Sequence, residues 1–391
     1  MPEPTDPKGS PEFDLNAWRR EIPLTERFIA LNNCSHSPRM TQTSAAAASF
    51  LDSWDRDGMD WDGWLEEVEA AKRAFARLIG ASTEEVAVTT SVSAATASIA
   101  STIDPRSSRN RILASEAEFP TVGHVWRAHE KYGIGVDWVP IEDDRIDPAR
   151  YGAVDERTRV VSATHAYYQN GFKQDLASIA ATAHDAGAWL YVDAYQTLGT
   201  CPIDVRELEV DMLAGGALKY LLGLPGIAFL YVRAELIETL EPALTGWFGR
   251  ANPYAFDAKR LDWSGTANRF ETGTPPILSA FVARAGIEVI EAVGPAAIER
   301  WTRILQQRLI DGGRARGFEI HGTTDVDRKT PSTAFVCPAD SHLIEVALRE
   351  RGVLASARGP VIRLAPHFFN TLDEIDTALD ALAEVFAIGR P

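Results

Sequence analysis

The chain has 391 residues, 45% of them hydrophobic and 24% charged, an ordinary globular composition with room for one large domain and a smaller one. Its 39 Lys and Arg against 55 Asp and Glu leave a net charge of −16, which argues against nonspecific binding to nucleic acid or to an anionic membrane. The longest strongly apolar stretch, 220–232, holds Gly and Pro and falls short of the ~20 residues a membrane-spanning helix needs.

Residues 1–16 are polar and proline-rich without the apolar core of a secretion signal, and 1–25 are expected to form a loose arm. Residues 28–32 read as a short strand, followed by a turn-like Asn33-Cys34-Ser35-His36-Ser37-Pro38. Helical stretches at 43–51 and 65–79 flank a tryptophan-rich bend with Trp54, Trp61 and Trp64. A strand at 86–90 then runs into Ser91, Val92 and Ser93, which open a helix. Free backbone N–H groups and the positive end of the helix dipole favour an anion there, although the same residues also suit a plain helix cap. Neither a Walker lysine motif nor GxGxxG is present, so nucleotide binding has no support. Strands follow at 111–115, leading into Glu118-Phe119-Pro120-Thr121, at 135–140 as an edge, and at 159–164, ending near Tyr168. A helix over 175–186 leads to the next strand. Such alternation of strand and helix predicts a mainly parallel sheet covered on both faces.

The stretch 188–232 is the most informative. Residues 188–192 form a short apolar run that ends in Asp193, which puts a carboxylate at the carboxyl end of a parallel strand, where α/β sheets place their ligand crevices. A second strand, 211–214, leads through small residues to Lys219, and a third, 227–232, follows Gly-Leu-Pro-Gly at 223–226. A desolvated lysine behind a strand-end aspartate suits pyridoxal phosphate: the amine forms the Schiff base and the carboxylate keeps the ring nitrogen protonated. Spacing alone leaves open a surface lysine and a turn-capping aspartate. Beyond 232 come Arg269-Phe-Glu-Thr-Gly-Thr274-Pro-Pro, helices at 276–293 and 296–311, strands at 318–321 and 332–336, and helices at 342–351 and 371–386. The last informative run is Val361-Ile-Arg363-Leu-Ala-Pro366. There an arginine lies in an apolar strand, three residues beyond Arg358-Gly-Pro360.

Asp193-Ala-Tyr-Gln196, Gly199, Pro202, Asp204-Val205, Asp211 and Lys219 in this order resemble the signature of the class V, fold type I family of pyridoxal-phosphate enzymes. That family includes cysteine desulfurases, kynureninases and isopenicillin-epimerase-like proteins, and the resemblance spans about residues 28–385. It implies an α/β fold with a mainly parallel sheet of the seven-stranded type in a large domain, 26–275, and a smaller α+β C-terminal domain, 276–391. It also implies pyridoxal 5'-phosphate on Lys219, with Asp193 at the ring nitrogen, Gln196 at the 3-oxygen, and Ser91, Val92 and Ser93 at the phosphate. Phe119 would stack on the ring and Tyr168 would lie near ring or substrate. Thr274 would reach the neighbour's phosphate in a homodimer, Arg363 would clamp the substrate's α-carboxylate, and Ser35 and His36 would line the substrate side.

Residues 355–360 lack the cysteine that a desulfurase presents before this arginine, which disfavours a persulfide-forming desulfurase. Kynureninases carry Asp after Phe-Pro-Thr and His four positions into the aspartate motif; here Val122 and Gln196 stand instead. Phe119, Tyr168 and the Arg363 run nevertheless lean towards a side-chain lyase cleaving Cβ–S or Cβ–Cγ of a modified amino acid, a small-molecule substrate. An aminotransferase, epimerase or decarboxylating deaminase would use the same residues, and a non-catalytic cofactor-binding regulator belongs to a different class. The odd cysteine count (Cys34, Cys201, Cys337), without CxxC spacing, predicts a reducing cytoplasm and no metal site.

Overall fold

The computed structural model describes residues 10–388. Thirteen strands occur in it: β1 (Ile29–Ala30), β2 (Val86–Thr89), β3 (Arg111–Ser115), β4 (Gly135–Val139), β5 (Thr158–Thr164), β6 (Trp189–Asp193), β7 (Met212–Gly216), β8 (Ala228–Val232), β9 (Ile320–His321), β10 (Thr333–Val336), β11 (Val353–Leu354), β12 (Ser356–Arg358) and β13 (Val361–Leu364). Seven of them build the main sheet in the order β2-β8-β7-β6-β5-β3-β4. Neighbours from β7 through β4 pair in parallel, and β8 alone runs against both its neighbours, so six strands point the same way. The sheet is mainly parallel, as expected, and β4 is its edge.

The apolar runs of these strands do not alternate with polar residues because both faces are covered. On β8, Phe229 and Tyr231 join the core beneath helices Trp61–Leu78, Leu176–Asp185 and Ile277–Val293. Ala228, Leu230 and Val232 join the opposite core beneath helices Val92–Ala100 and Pro120–Ala128. Three of these helices begin at a side-chain cap: Asp60, Ser91 and Asp175 accept from Gly63, Ala94 and Ser178 N–H.

The C-terminal part is a four-stranded antiparallel sheet, β12-β13-β10-β9, backed by helices Pro295–Ala315, Ser341–Glu350 and Leu372–Ile388 through their own core. Two features depart from the segmentation read along the chain. Helix Ile277–Val293 packs on the large sheet through Ala280, Ala283, Ile287 and Ile290, so the packing boundary falls after it, near Gly294, rather than at residue 276. The N-terminal segment is seated rather than loose from Glu12 onward. Arg19 donates to the Phe369 carbonyl (2.6 Å) and to Glu374 (2.8 Å), Trp18 meets Phe368 edge-on, and Ile22 is fully buried. Residues 1–9 of that arm lie outside the described residues. The strand read at 28–32 shortens to β1, which pairs in parallel with β11 and so ties the entry of the chain to the C-terminal part.

Gly199 has φ +86°, and a Cβ there would collide with the Tyr220 carbonyl. Gly199→Ala therefore combines left-handed strain with a backbone clash one residue from Lys219. It is expected to lower unfolding stability by more than about 1–2 kcal/mol in urea titrations.

Candidate active site

Five of the six strands that point the same way deliver a candidate residue at or just beyond the carboxyl end. Ser91 follows β2, Phe119 follows β3, Tyr168 follows β5, Asp193 terminates β6, and Lys219 follows β7. A cavity of about 380 Å³ lies there, lined by Ser91, Val92, Ser93, Phe119, Asp193 and Lys219, with Ser35 at one side and Pro225, Gly226 and Ile227 ahead of β8 at another.

Asp193 is buried, and its Oδ1 accepts from the Tyr195 N–H at 2.9 Å. Burial raises its pKa, while that hydrogen bond and the positive charge of Lys219 oppose the rise. Lys219 keeps some exposure through the open cavity, but desolvation of its amine pulls the pKa down to about 8 against the opposing pull of Asp193. The amine stands 4.1 Å from the centroid of the Tyr195 ring and 5.6 Å from that of Phe119. Ser91 caps its helix by accepting from Ala94 N–H, which leaves the Val92 and Ser93 amides facing outward as orphan donors of a helix start. The Ser93 and Thr121 hydroxyls are paired at 2.7 Å.

Arg363 is 1% exposed. Its Nη2 donates to the hydroxyls of Ser35 (2.9 Å) and Ser356 (2.8 Å), its Nη1 to the Tyr168 carbonyl, and its Nε to the Ser356 carbonyl (3.5 Å). Ser35 and Ser356 are also 2.6 Å apart. The Tyr168 ring meets Phe119 edge-on, with centroids 5.1 Å apart.

Tyr168 and Arg363 do not line the cavity themselves but touch its lining residues Phe119 and Ser35, whereas three expected residues stand apart. Gln196 is buried but gives its amide to the Cys34 carbonyl (3.1 Å) and does not line the cavity, so it anchors the 33–38 loop. His36 is exposed, because its loop turns the ring outward after the His36 N–H bonds the Asn32 carbonyl. Thr274 is exposed and does not line this cavity. Of the tryptophans, Trp64 is buried against Phe50 and Trp61 stacks with Trp247, while Trp54 is 54% exposed.

Other residues were not singled out from sequence. Tyr195 walls the cavity, and Gly216 makes room for its ring, which a Cβ would strike. The adjacent Gly215-Gly216 pair was the available signal. Glu118 is buried behind Asp193; burial first, then the Asp193 charge, drives its pKa well above the usual carboxylate range. Ser162 donates to Glu118 and accepts from the Trp126 indole. His165, pulled down to about 3 by burial, is neutral and paired with Thr197.

A family model described as aminotransferase class-V matches residues 63–364. The chain belongs to the class V aminotransferase family. An uncharacterized aminotransferase of Bacillus subtilis (strain 168), YcbU, is 35% identical over 369 residues, covering 94% of this chain and 96% of that protein. The kynureninase of Pseudomonas fluorescens is 27% identical over 392 residues, covering 95% and 92%. An apo cysteine desulfurase from Thermococcus onnurineus NA1 superposes with a TM-score of 0.86 at 23% identity, covering 95% of this chain and 98% of that one, a likeness of fold.

The cofactor this family uses fits the cavity on chemical grounds. A deprotonatable amine, a buried carboxylate, an aromatic face and a helix start with unpaired amides line one space. Because the free amine is the nucleophile, capture of pyridoxal phosphate by the cofactor-free protein should accelerate as pH rises and level off above about 8. A lysine at its usual value would show no plateau below pH 10. Stopped-flow absorbance against pH, with Lys219→Ala as the blank, measures it.

Proposed function

We propose that this class V enzyme uses pyridoxal 5'-phosphate to cleave the side chain of an amino acid at Cβ–S or Cβ–Cγ. Lys219 would hold the cofactor covalently, Asp193 its ring nitrogen, Ser91, Val92 and Ser93 its phosphate, and Phe119 one face. When bound, the cofactor supplies the electron sink for the pair left at Cα. Arg363, with the hydroxyls of Ser35 and Ser356, binds the α-carboxylate and so orients Cα towards Lys219. The Lys219 amine, made basic without being permanently charged, carries the Cα proton. Tyr195, Leu218 and Ile227 wall the space against water.

The observation that carries the lyase reading is Tyr168. Its ring packs on Phe119, which lines the cavity, and its carbonyl is held by Arg363, which supports a role for its hydroxyl as a second proton-carrying group. Side-chain cleavage needs a second proton transfer, to the departing group or to Cβ, in addition to the one at Cα. One observation favours amino transfer instead, namely the 35% identity to a protein named an aminotransferase. Epimerisation or decarboxylation would draw on the same residues.

Incubation of the holoenzyme with candidate amino acids separates these readings. Thiol with pyruvate or alanine marks a lyase, whereas conversion of the cofactor to its amine form marks a transaminase and sinks the lyase reading. Tyr168→Phe should slow side-chain cleavage by about a hundred- to ten-thousandfold while amino-acid binding, read from the visible band, persists.

The enzyme is further proposed to be a cytoplasmic homodimer in which Thr274 serves the neighbour's phosphate. Its exposure suits a contribution in trans, and the three cysteines are unpaired, which suits a reducing compartment. No helix among the described residues is long and apolar enough to cross a membrane. Sedimentation at assay concentration tests the dimer: a fully active monomer would exclude the shared site.

A further inference from the structure

β12 and β13 pair antiparallel, with Ser356 opposite Arg363 and Arg358 opposite Val361. Residues directly paired, and residues two apart on one strand, share a face of a sheet. Ser356, Arg358 and Arg363 therefore project from the same face, while Ala357 and Ile362 point the other way into the C-terminal core. That shared face looks onto the candidate active site, because Arg363 reaches from it to Ser35 and to the Tyr168 carbonyl. Arg358 and Arg363 are diagonal neighbours, a separation of about 7–8 Å that long side chains span.

The two guanidiniums differ in how far the protein satisfies them. Arg363 directs four hydrogen bonds at protein acceptors. Arg358 is half-buried, donates one N–H to the Ala357 carbonyl at 2.9 Å, and meets no carboxylate at ion-pair distance among the described residues. Glu345, whose charge Arg358 feels, is turned towards His342 at 3.5 Å. Burial and the nearby charge of Arg363 both weigh against the charged form of Arg358, and both arginines act in the same direction on Lys219. Lys219 lines the cavity, Asp193 is the one carboxylate among its lining residues, and the face that carries Arg358 and Arg363 adjoins it through the Arg363–Ser35 bond. An amino acid with a neutral side chain brings a single carboxylate, and Arg363 with its two serines already serves that group.

We propose that Arg358 forms a second anion subsite and that the substrate is an α-amino acid with a negatively charged side-chain group. The planar fork of the guanidinium suits paired oxygens of a carboxylate, sulfinate, sulfonate or phosphonate. This inference rests on the reading of the cavity as an amino-acid site with Arg363 at the α-carboxylate. It adds the chemistry of the side chain, on which the reaction type does not depend.

The test uses the holoenzyme and near-isosteric pairs: L-aspartate against L-asparagine, L-glutamate against L-glutamine, and L-cysteine sulfinate against S-methyl-L-cysteine. Binding is read from the shift of the visible band and independently by calorimetry. The wild type should bind the charged member of at least one pair about tenfold or more tightly than its neutral partner. Arg358→Gln should bring that ratio to within about twofold, chiefly by weakening the charged member, and Arg358→Lys should retain part of it. The proposal is overturned if the wild type prefers no charged member. It is equally overturned if Arg358→Gln weakens both members of a pair alike, which would assign Arg358 to the α-carboxylate or to the strand pair. A wild type that binds none of the six amino acids would overturn the amino-acid reading itself, a distinct result.

Discussion

A guanidinium with almost no solvent contact must be met by acceptors on every side, and Arg363 is met by three separate parts of the chain. Its own sheet supplies Ser356, the loop after β1 supplies Ser35, and the loop after β5 supplies Tyr168. Removing one of these would leave a buried charge partly unsatisfied, which is far more costly than losing a surface contact. The arrangement therefore fixes where the C-terminal sheet sits against the carboxyl ends of the large one. It also leaves the Ser35–Ser356 hydroxyl pair at the edge of the cavity. The 33–38 loop is held from its other side by Gln196, which bonds the Cys34 carbonyl.

Electrostatics below that tie follow from burial. A lysine in this cavity loses hydration and becomes a base near neutral pH, while Asp193, which accepts from the Tyr195 N–H and feels the lysine charge, is offered compensation for its own desolvation. Glu118 lies deeper and faces Asp193, so two carboxyl groups compete for one negative charge. Burial and the Asp193 charge favour the neutral form of Glu118, while the Tyr195 N–H and Lys219 favour the charged form of Asp193, the member that lines the cavity. Ser162, held in turn by the Trp126 indole, donates to Glu118 and fixes its place. A site of this kind concentrates perturbed groups in one cleft, the pattern expected where proton transfer is the task.

Residues that carry the family resemblance divide into two physical kinds. Lys219 and Asp193 touch the cavity. Asp211 is wholly buried and accepts from the Leu190 N–H and from His184, with Arg233 2.8 Å away, so it locks β6 to β7 and the following turn. Gly199 gives the chain a left-handed turn against the Tyr220 carbonyl. The second kind does no chemistry, yet it holds the strand ends at the spacing the first kind requires.

What the sequence determined by itself is what local physics writes along a chain. Unbroken apolar runs between helical stretches implied a parallel sheet buried on both faces, and Asp193, Lys219 and the Ser91 helix start were visible as strand-end features. Arg363 was visible as a charge in an apolar strand. Tertiary structure decided the rest, because strand order and face are set by packing between distant segments. Local pattern did not reveal that β8 runs antiparallel between β2 and β7, or that helix Ile277–Val293 belongs to the large sheet. Ser35 meets Arg363 across 328 positions of chain, and Gln196 turned to Cys34 instead of the cavity because that loop lay within reach. Arg358 was visible only as part of the Arg358-Gly-Pro360 run beside Arg363, with no sign of which way it faced. Only the register of β12 on β13 puts it on the face of Arg363, since a slip of one residue would have turned it into the core.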